Sequence, residues 1–286
     1  MNTVRKFVWL ATGLILVLAG ACACARADDG AKEAGRAIRV SGSTTVGPIA
    51  EGFAKALNDE LDEVRFVVRR TGTGEGLSDL VAGKADIALM SRFMRPAELK
   101  AALARHVSPV FHLVAMDGVA VIVHPDNPAD GLTHRQVRDI YAGRIDNWKA
   151  LGGPDRPIVR LGRTKDSGTF ASFRTLVMDK AAFADAVDAI ETTAALRTRV
   201  AKTPGAIGYV GLGFVDKTVK ALAIDGVAPK SRNVLWGRYG LSRPLFMVTD
   251  GCPPLGSPPF RFVTFAHTEN GQAIVFDKGF VPLTEY

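Results

Sequence analysis

Arg163 stands four residues ahead of Ser167-Gly168-Thr169 in the stretch GRTKDSGTFASF, residues 162–173. An arginine, two hydroxyls and the free backbone N–H groups of a helix start, gathered at one point, suit a tetrahedral oxyanion. The same residues would equally serve as an ordinary N-cap, with Ser167 or Thr169 capping and Arg163 in solvent. Two further stretches repeat the device. Ser41-Gly42-Ser43-Thr44-Thr45 precedes Pro48 and an apolar-periodic segment. Thr71-Gly72-Thr73-Gly74-Glu75-Gly76 precedes Leu77, Leu80 and Val81. Its GxGxG spacing is not the dinucleotide fingerprint, and no Walker lysine follows. A fourth polar group, Ser91-Arg92, ends the apolar run DIALM.

These groups need strands to deliver them and helices to begin where they end. Residues 37–40, 64–68 and 86–90 read as short strands, each releasing a polar loop at its carboxyl end, where open α/β sheets bind ligands. Residues 107–115 and 119–123 read as two strands nearly end to end, broken by Asp117-Gly118 where the chain crosses between lobes. Thr133 is expected to cap a helix through Val137, Ile140 and Tyr141. Residues 158–161 form the strand that feeds Arg163. Helices are expected over 170–178, 181–190 and 192–202, strands over 206–210 and 222–224, and an extended return over 239–248. The Arg163 stretch then belongs to a second lobe and the other seats to a first, so the site is a cleft between lobes.

The chain opens with a short basic segment, an uncharged run from Phe7 to Ala25 and the small-residue end Ala25-Arg26-Ala27. That is the pattern of a secretory signal peptide, residues 1–27; cleavage after Ala23, or lipidation at Cys22 or Cys24, are the alternatives. Cleavage would leave Cys252 as the one cysteine, so no internal disulfide is available. The net charge of +7 includes Arg5, Lys6 and Arg26, which leave with the leader. The remainder is mildly cationic without a Lys/Arg tract, which suits small anions and disfavours nucleic acid.

Five segments in order, GSTTVGPIAEGFA, GTGEGLSDLVAGKADIALMSR, MDGVAVIVHPDNP, LTHRQVRDIYAGRIDNW and RTKDSGTF, resemble the periplasmic phosphate-binding proteins of bacterial ABC transporters. The resemblance covers residues 38–282. It implies an α/β, two-lobed type II periplasmic-binding fold, each lobe a mainly parallel sheet flanked by helices. The lobes would span 38–116 with a return over 236–286, and 117–235. It implies a monomer in the periplasm that captures inorganic phosphate and hands it to a membrane permease, with no cofactor, no metal and no catalysis. Carried over residue by residue, the implied phosphate contacts are Thr44 and Thr45 with Ser43 adjacent, Thr73, Ser91, Arg92, Arg163, Ser167, Gly168 and Thr169. Better-known members have an aspartate at the position of Arg92, where it accepts the ligand's proton. Glu75, Asp117 and Asp166 are the candidate substitutes.

Other classes make different demands. An exported hydrolase could use Ser167, yet HExxH, GxSxG, SxxK and CxxC are all absent, and the five histidines have no metal spacing. A periplasmic sensor, or a binder of sulfate or arsenate, would use the same seats.

Overall fold

The computed structural model describes residues 36–179 and 181–284. The signal-peptide expectation lies outside them. Within residues 35–286 the chain forms one compact unit. Its first half runs β1 (Arg36–Gly42), α1 (Gly47–Glu60), β2 (Val64–Arg69), α2 (Thr73–Val81), β3 (Ile87–Met90) and α3 (Pro96–Leu103). Then β4 (Pro109–Val123) leads to β5 (Gly131–Leu132), α4 (His134–Tyr141), β6 (Val159–Arg163), α5 (Gly168–Phe173), β7 (Val187–Ile190), α6 (Thr193–Ala201) and β8 (Ala206–Gly211). After β9 (Lys220–Ala221), β10 (Ala223–Ile224) and α7 (Ser231–Leu235), β11 (Ser242–Asp250) returns to the first half, which α8 (Pro258–Phe265) and α9 (Glu269–Asp277) complete.

The strands join in the order β2-β1-β3-β11-β4-β8-β6-β7, with β9 alongside β4. β1 is parallel to β2 and β3, and β6 is parallel to β7 and β8. Between these parallel sets lie β4 and β11, antiparallel to each other and to their outer neighbours β8 and β3. Residues 109–118 of β4 pair with β11 and residues 119–123 with β8, so one strand serves both halves. The expected break at Asp117-Gly118 is therefore absent. A charge inside an apolar run reads as an interruption, but Asp117 is fully buried and paired with Arg243.

The helices begin where their caps dictate. Thr133 Oγ1 accepts from Gln136 N while the Gln136 side chain accepts from Thr133 N, a reciprocal capping box. Ser167 caps α5, Thr192 caps α6 and Thr268 caps α9. Pro48 lies in the first turn of α1, where its missing N–H removes no hydrogen bond. Beyond α5 the chain continues as a π turn, Arg174–Met178. The expected helix over 181–190 is not formed: Val187–Ile190 is a strand parallel to β6, because the exposed flank of β6 offers backbone partners that a lone helix would not have.

Two apolar clusters form the main core. One centres on Ile38, Val40, Phe53, Leu89, Leu245 and Phe262; the other on Tyr141, Trp148, Phe173 and Tyr209. A smaller one under α2 includes Met90, as core packing requires of that methionine. Trp148 is buried and donates to Gly205 O, a packing role. Cys252 is exposed and unpaired. Among the described residues no helix is long and apolar enough to cross a membrane.

Candidate functional site

The loops that follow β1, β2, β3, β6 and β7 bring a ring of hydroxyls together. Thr45 Oγ1 lies 3.0 Å from Thr169 Oγ1 and 3.4 Å from Thr193 Oγ1, and Thr44 Oγ1 lies 3.2 Å from Thr193 Oγ1. At the start of α2, Thr73 Oγ1 accepts from Ser91 N at 3.4 Å and lies 3.4 Å from Ser91 Oγ. All of these residues are buried. Ser43 and Ser167 are turned to the backbone instead. Ser43 Oγ accepts from Thr45 N and Val46 N, and Ser167 Oγ from Thr169 N and Phe170 N. They hold their loops in shape.

Arg163, at the end of β6, is 3% exposed and points into this ring. Its Nη1 donates to Thr193 Oγ1 at 2.7 Å, and its Nη2 to Thr44 Oγ1 at 3.1 Å and Glu191 O at 2.6 Å. Nε donates to Ile190 O at 3.0 Å, and Tyr209 Oη accepts from Arg163 N at 3.1 Å. Every acceptor is a neutral oxygen. Burial pulls the guanidinium down to about 10; nearby Tyr209 opposes the shift and the like charge of Arg243 adds to it. A buried cation without a carboxylate partner is a strong local attractor for an anion.

The halves meet directly at this point. Gly74 N donates to Asp166 O at 3.1 Å, and Ser172 Oγ donates to Ser91 O at 3.1 Å. Gly168 lies so close that a Cβ there would be 2.3 Å from Ser91 Oγ and 2.4 Å from Thr73 Oγ1. Only glycine permits that approach.

Arg92 does not join the ring by hydrogen bonds. Its Nη1 and Nη2 donate to both carboxylate oxygens of Glu98 at 2.7 and 2.8 Å, and Nη1 also to Phe93 O. Burial pushes the Glu98 carboxyl up, but the hydrogen bonds from Arg92 and Arg95 outweigh it and hold it at about 2. Of the three candidate proton acceptors, Glu75 and Asp166 are exposed and Asp117 is buried. Asp117 Oδ1 accepts from Leu212 N at 2.8 Å and Oδ2 from Arg243 Nε at 2.9 Å. Burial pushes its pKa up while Arg243 opposes the shift. It sits beside the ring: a Cβ on Gly211 would be 2.8 Å from Thr45 Cγ2 and 2.9 Å from Asp117 Oδ2.

Thr193, Tyr209, Ser172 and Arg243 were not expected here. Thr192-Thr193 carries a usable signal, since it stands before an apolar helix as Thr44-Thr45 does. Arg243 is a lone charge inside the apolar run YGLSRPLFMV. Tyr209 and Ser172 carry no such signal.

The sequence model of the PBP superfamily domain matches residues 29–263. The phosphate-binding protein PstS of Bacillus subtilis is 31% identical over 258 residues, spanning 90% of this chain and 84% of the relative. PstS of Pseudomonas aeruginosa is 29% identical over 308 residues, covering 97% and 95%. Among solved structures, a Clostridium perfringens phosphate ABC transporter substrate-binding protein with bound phosphate superposes with a TM-score of 0.80 at 32% identity, covering 87% of this chain and all of that one. An ABC-type phosphate transport receptor from Vibrio cholerae gives a TM-score of 0.70 at 30% identity, covering 85% and 99%. The chain belongs to the PBP superfamily and, within it, to the PstS-like solute-binding proteins, two-lobed α/β proteins that are not enzymes.

Proposed function

We propose that this protein captures inorganic phosphate inside the hydroxyl ring and delivers it to an ABC permease. One observation carries the reading: Arg163, buried in the cleft, has only neutral oxygens around it. The phosphate would take charge-assisted bonds from Arg163 and hydrogen bonds from Thr44, Thr45, Thr73, Ser91 and Thr169, with Ser43 and Ser167 shaping the loops and Gly168 allowing close approach. Arg92 then acts from outside the ring, through Glu98. Hydroxyls can donate and accept, so a protonated phosphate oxygen finds an acceptor without a carboxylate. Because loops from both halves build one seat, the ligand joins the lobes and closure gives the permease a shape to recognise.

The organisation we propose is a leader of 1–27, a lobe of 38–116 completed by 236–286 and a lobe of 117–235, secreted to the periplasm and acting as a monomer. The related proteins named for phosphate binding and phosphate transport support the ligand and the transport role. Isothermal titration calorimetry of ligand-stripped protein, residues 28–286, tests it. One equivalent of phosphate is expected to bind tightly, with sulfate silent at the same pH. Sulfate heat matching that of phosphate would reassign the ligand class, and silence toward phosphate would remove the function.

A further inference from the structure

Beside the Ser91–Ser172 contact lies a cavity of about 620 Å³ that none of the ring hydroxyls lines. Five cationic side chains face it, Arg92, Arg95, Lys165, Arg174 and Arg243, against one carboxylate, Asp179. Arg92 and Arg95 share Glu98, and Arg243 has Asp117. Lys165 and Arg174 are exposed, and neither forms an ion pair with a described residue.

Two of the wall's cations are themselves buried, Arg92 at 9% and Arg243 at 4% exposed, so their charge is weakly screened by water. Together with the exposed Lys165 and Arg174, this excess of positive charge favours an anion in the cavity.

The apolar part of the wall is equally particular. The Phe93 side chain is 63% exposed, yet its ring is backed by Phe246 at 4.8 Å between centroids. Phe170 is stacked on Phe183 at 5.1 Å. Both rings border the cavity, so each is a supported surface on which a flat group can lie.

We propose that this cavity is a second binding site, for a phosphate monoester that carries a ring. The phosphoryl group takes charge-assisted hydrogen bonds from Lys165 and Arg174, Arg92, Arg95 and Arg243 add positive potential behind them, and the ring rests against Phe93 and Phe170. Pockets for small organic ligands span about 300–1,000 Å³, so the volume suits such a molecule, whereas inorganic phosphate would leave most of it to water.

The walls come from both halves: residues 92–96 follow β3, residues 165–179 surround α5, and residues 242–244 open β11. A ligand here therefore holds the lobes together, and phosphate in the hydroxyl ring does the same. Each then strengthens the other, by the reciprocity of linked equilibria. Only this coupling rests on the phosphate reading.

Phenyl phosphate is the probe. Full-length mature protein is first titrated with inorganic phosphate, then, once saturated, with phenyl phosphate, and bound radiolabelled phosphate is followed throughout. The expected result is one equivalent of phenyl phosphate taken up without release of label, and a tighter phosphate Kd in its presence. The double variant Lys165→Ala/Arg174→Ala, altered only at exposed side chains, should bind phenyl phosphate about tenfold or more weakly. Its affinity for phosphate alone should be unchanged. No uptake by the saturated protein, uptake equal in the double variant, or release of label would each overturn the second site. If phosphate alone gives no heat, the transport reading falls, and the same variant comparison on unloaded protein still decides the second site.

Discussion

Arg163 combines three properties that seldom meet in one side chain: it is buried, it is held by four hydrogen bonds, and none of its partners carries charge. The neighbouring positions, Thr164 and Lys165, supply no carboxylate. Replacing it with alanine removes the one cation among the hydroxyls. Arg163→Ala should weaken phosphate binding by roughly 2–5 kcal/mol, by analogy with other buried charge pairs. Calorimetry checks this, and an unchanged Kd would take Arg163 out of the seat. Arg163→Lys should recover only part of the loss, because an ammonium cannot reach Thr44, Thr193 and two carbonyls together. The effect has a pH limit, since a guanidinium held at about 10 keeps its charge through neutral pH and loses it only as pH rises past that value.

At the scale of elements, the loop after β3 is braced to α3 by one carboxylate. Glu98 accepts from Arg92, from Arg95 N and from the Arg95 side chain, all within the turn that starts the helix. A folded pKa of about 2, against 4.5 for a free glutamate, means that the folded state favours the ionised form. This stability is fully present above pH about 4.5 and is lost as pH falls through that value toward 2. Glu98→Gln should lower the stability at pH 7 by about 1–3 kcal/mol, because Arg92 is left buried without its partner. The gap from wild type should close in acid, as urea midpoints between pH 7 and 3 would show. The elements themselves were largely legible from sequence where a local signal exists. The Thr133 and Ser167 caps, the glycine-rich turn before α2 and the hydroxyl run before α1 each declare a helix start within a few residues. Two misreadings share a cause. Residues 181–190 have apolar spacing that suits a helix, and the flank of β6 that captures Val187–Ile190 is invisible locally. Asp117 resembles a break in a strand because Arg243, the partner that makes its burial tolerable, lies 126 residues away. Thr44, Thr45 and Thr169 were legible as hydroxyls that converge, whereas the turn of Arg92 toward Glu98 was not, although that partner stands only six residues on.

At the scale of the whole molecule, β4 and β11 run through both halves, and the lobes touch across the cleft at Gly74, Ser172 and Gly168. Gly168 is the tightest of these contacts. A methyl group there meets two hydroxyls at well under contact distance, so Gly168→Ala should prop the lobes apart. Small-angle scattering should then show wild type becoming more compact with phosphate and the variant changing little, with phosphate affinity at least about tenfold lower. Equal compaction in both would mean that the lobes close without this contact. The hydroxyl ring also bears on the surroundings in which such a protein works. Threonine and serine side chains neither gain nor lose protons between mild acid and mild alkali. A receptor lined by them keeps the same electrical face toward its cargo when its medium sours, so the acidity response of scavenging falls to the ionisation of the nutrient and of Asp117 beside the ring.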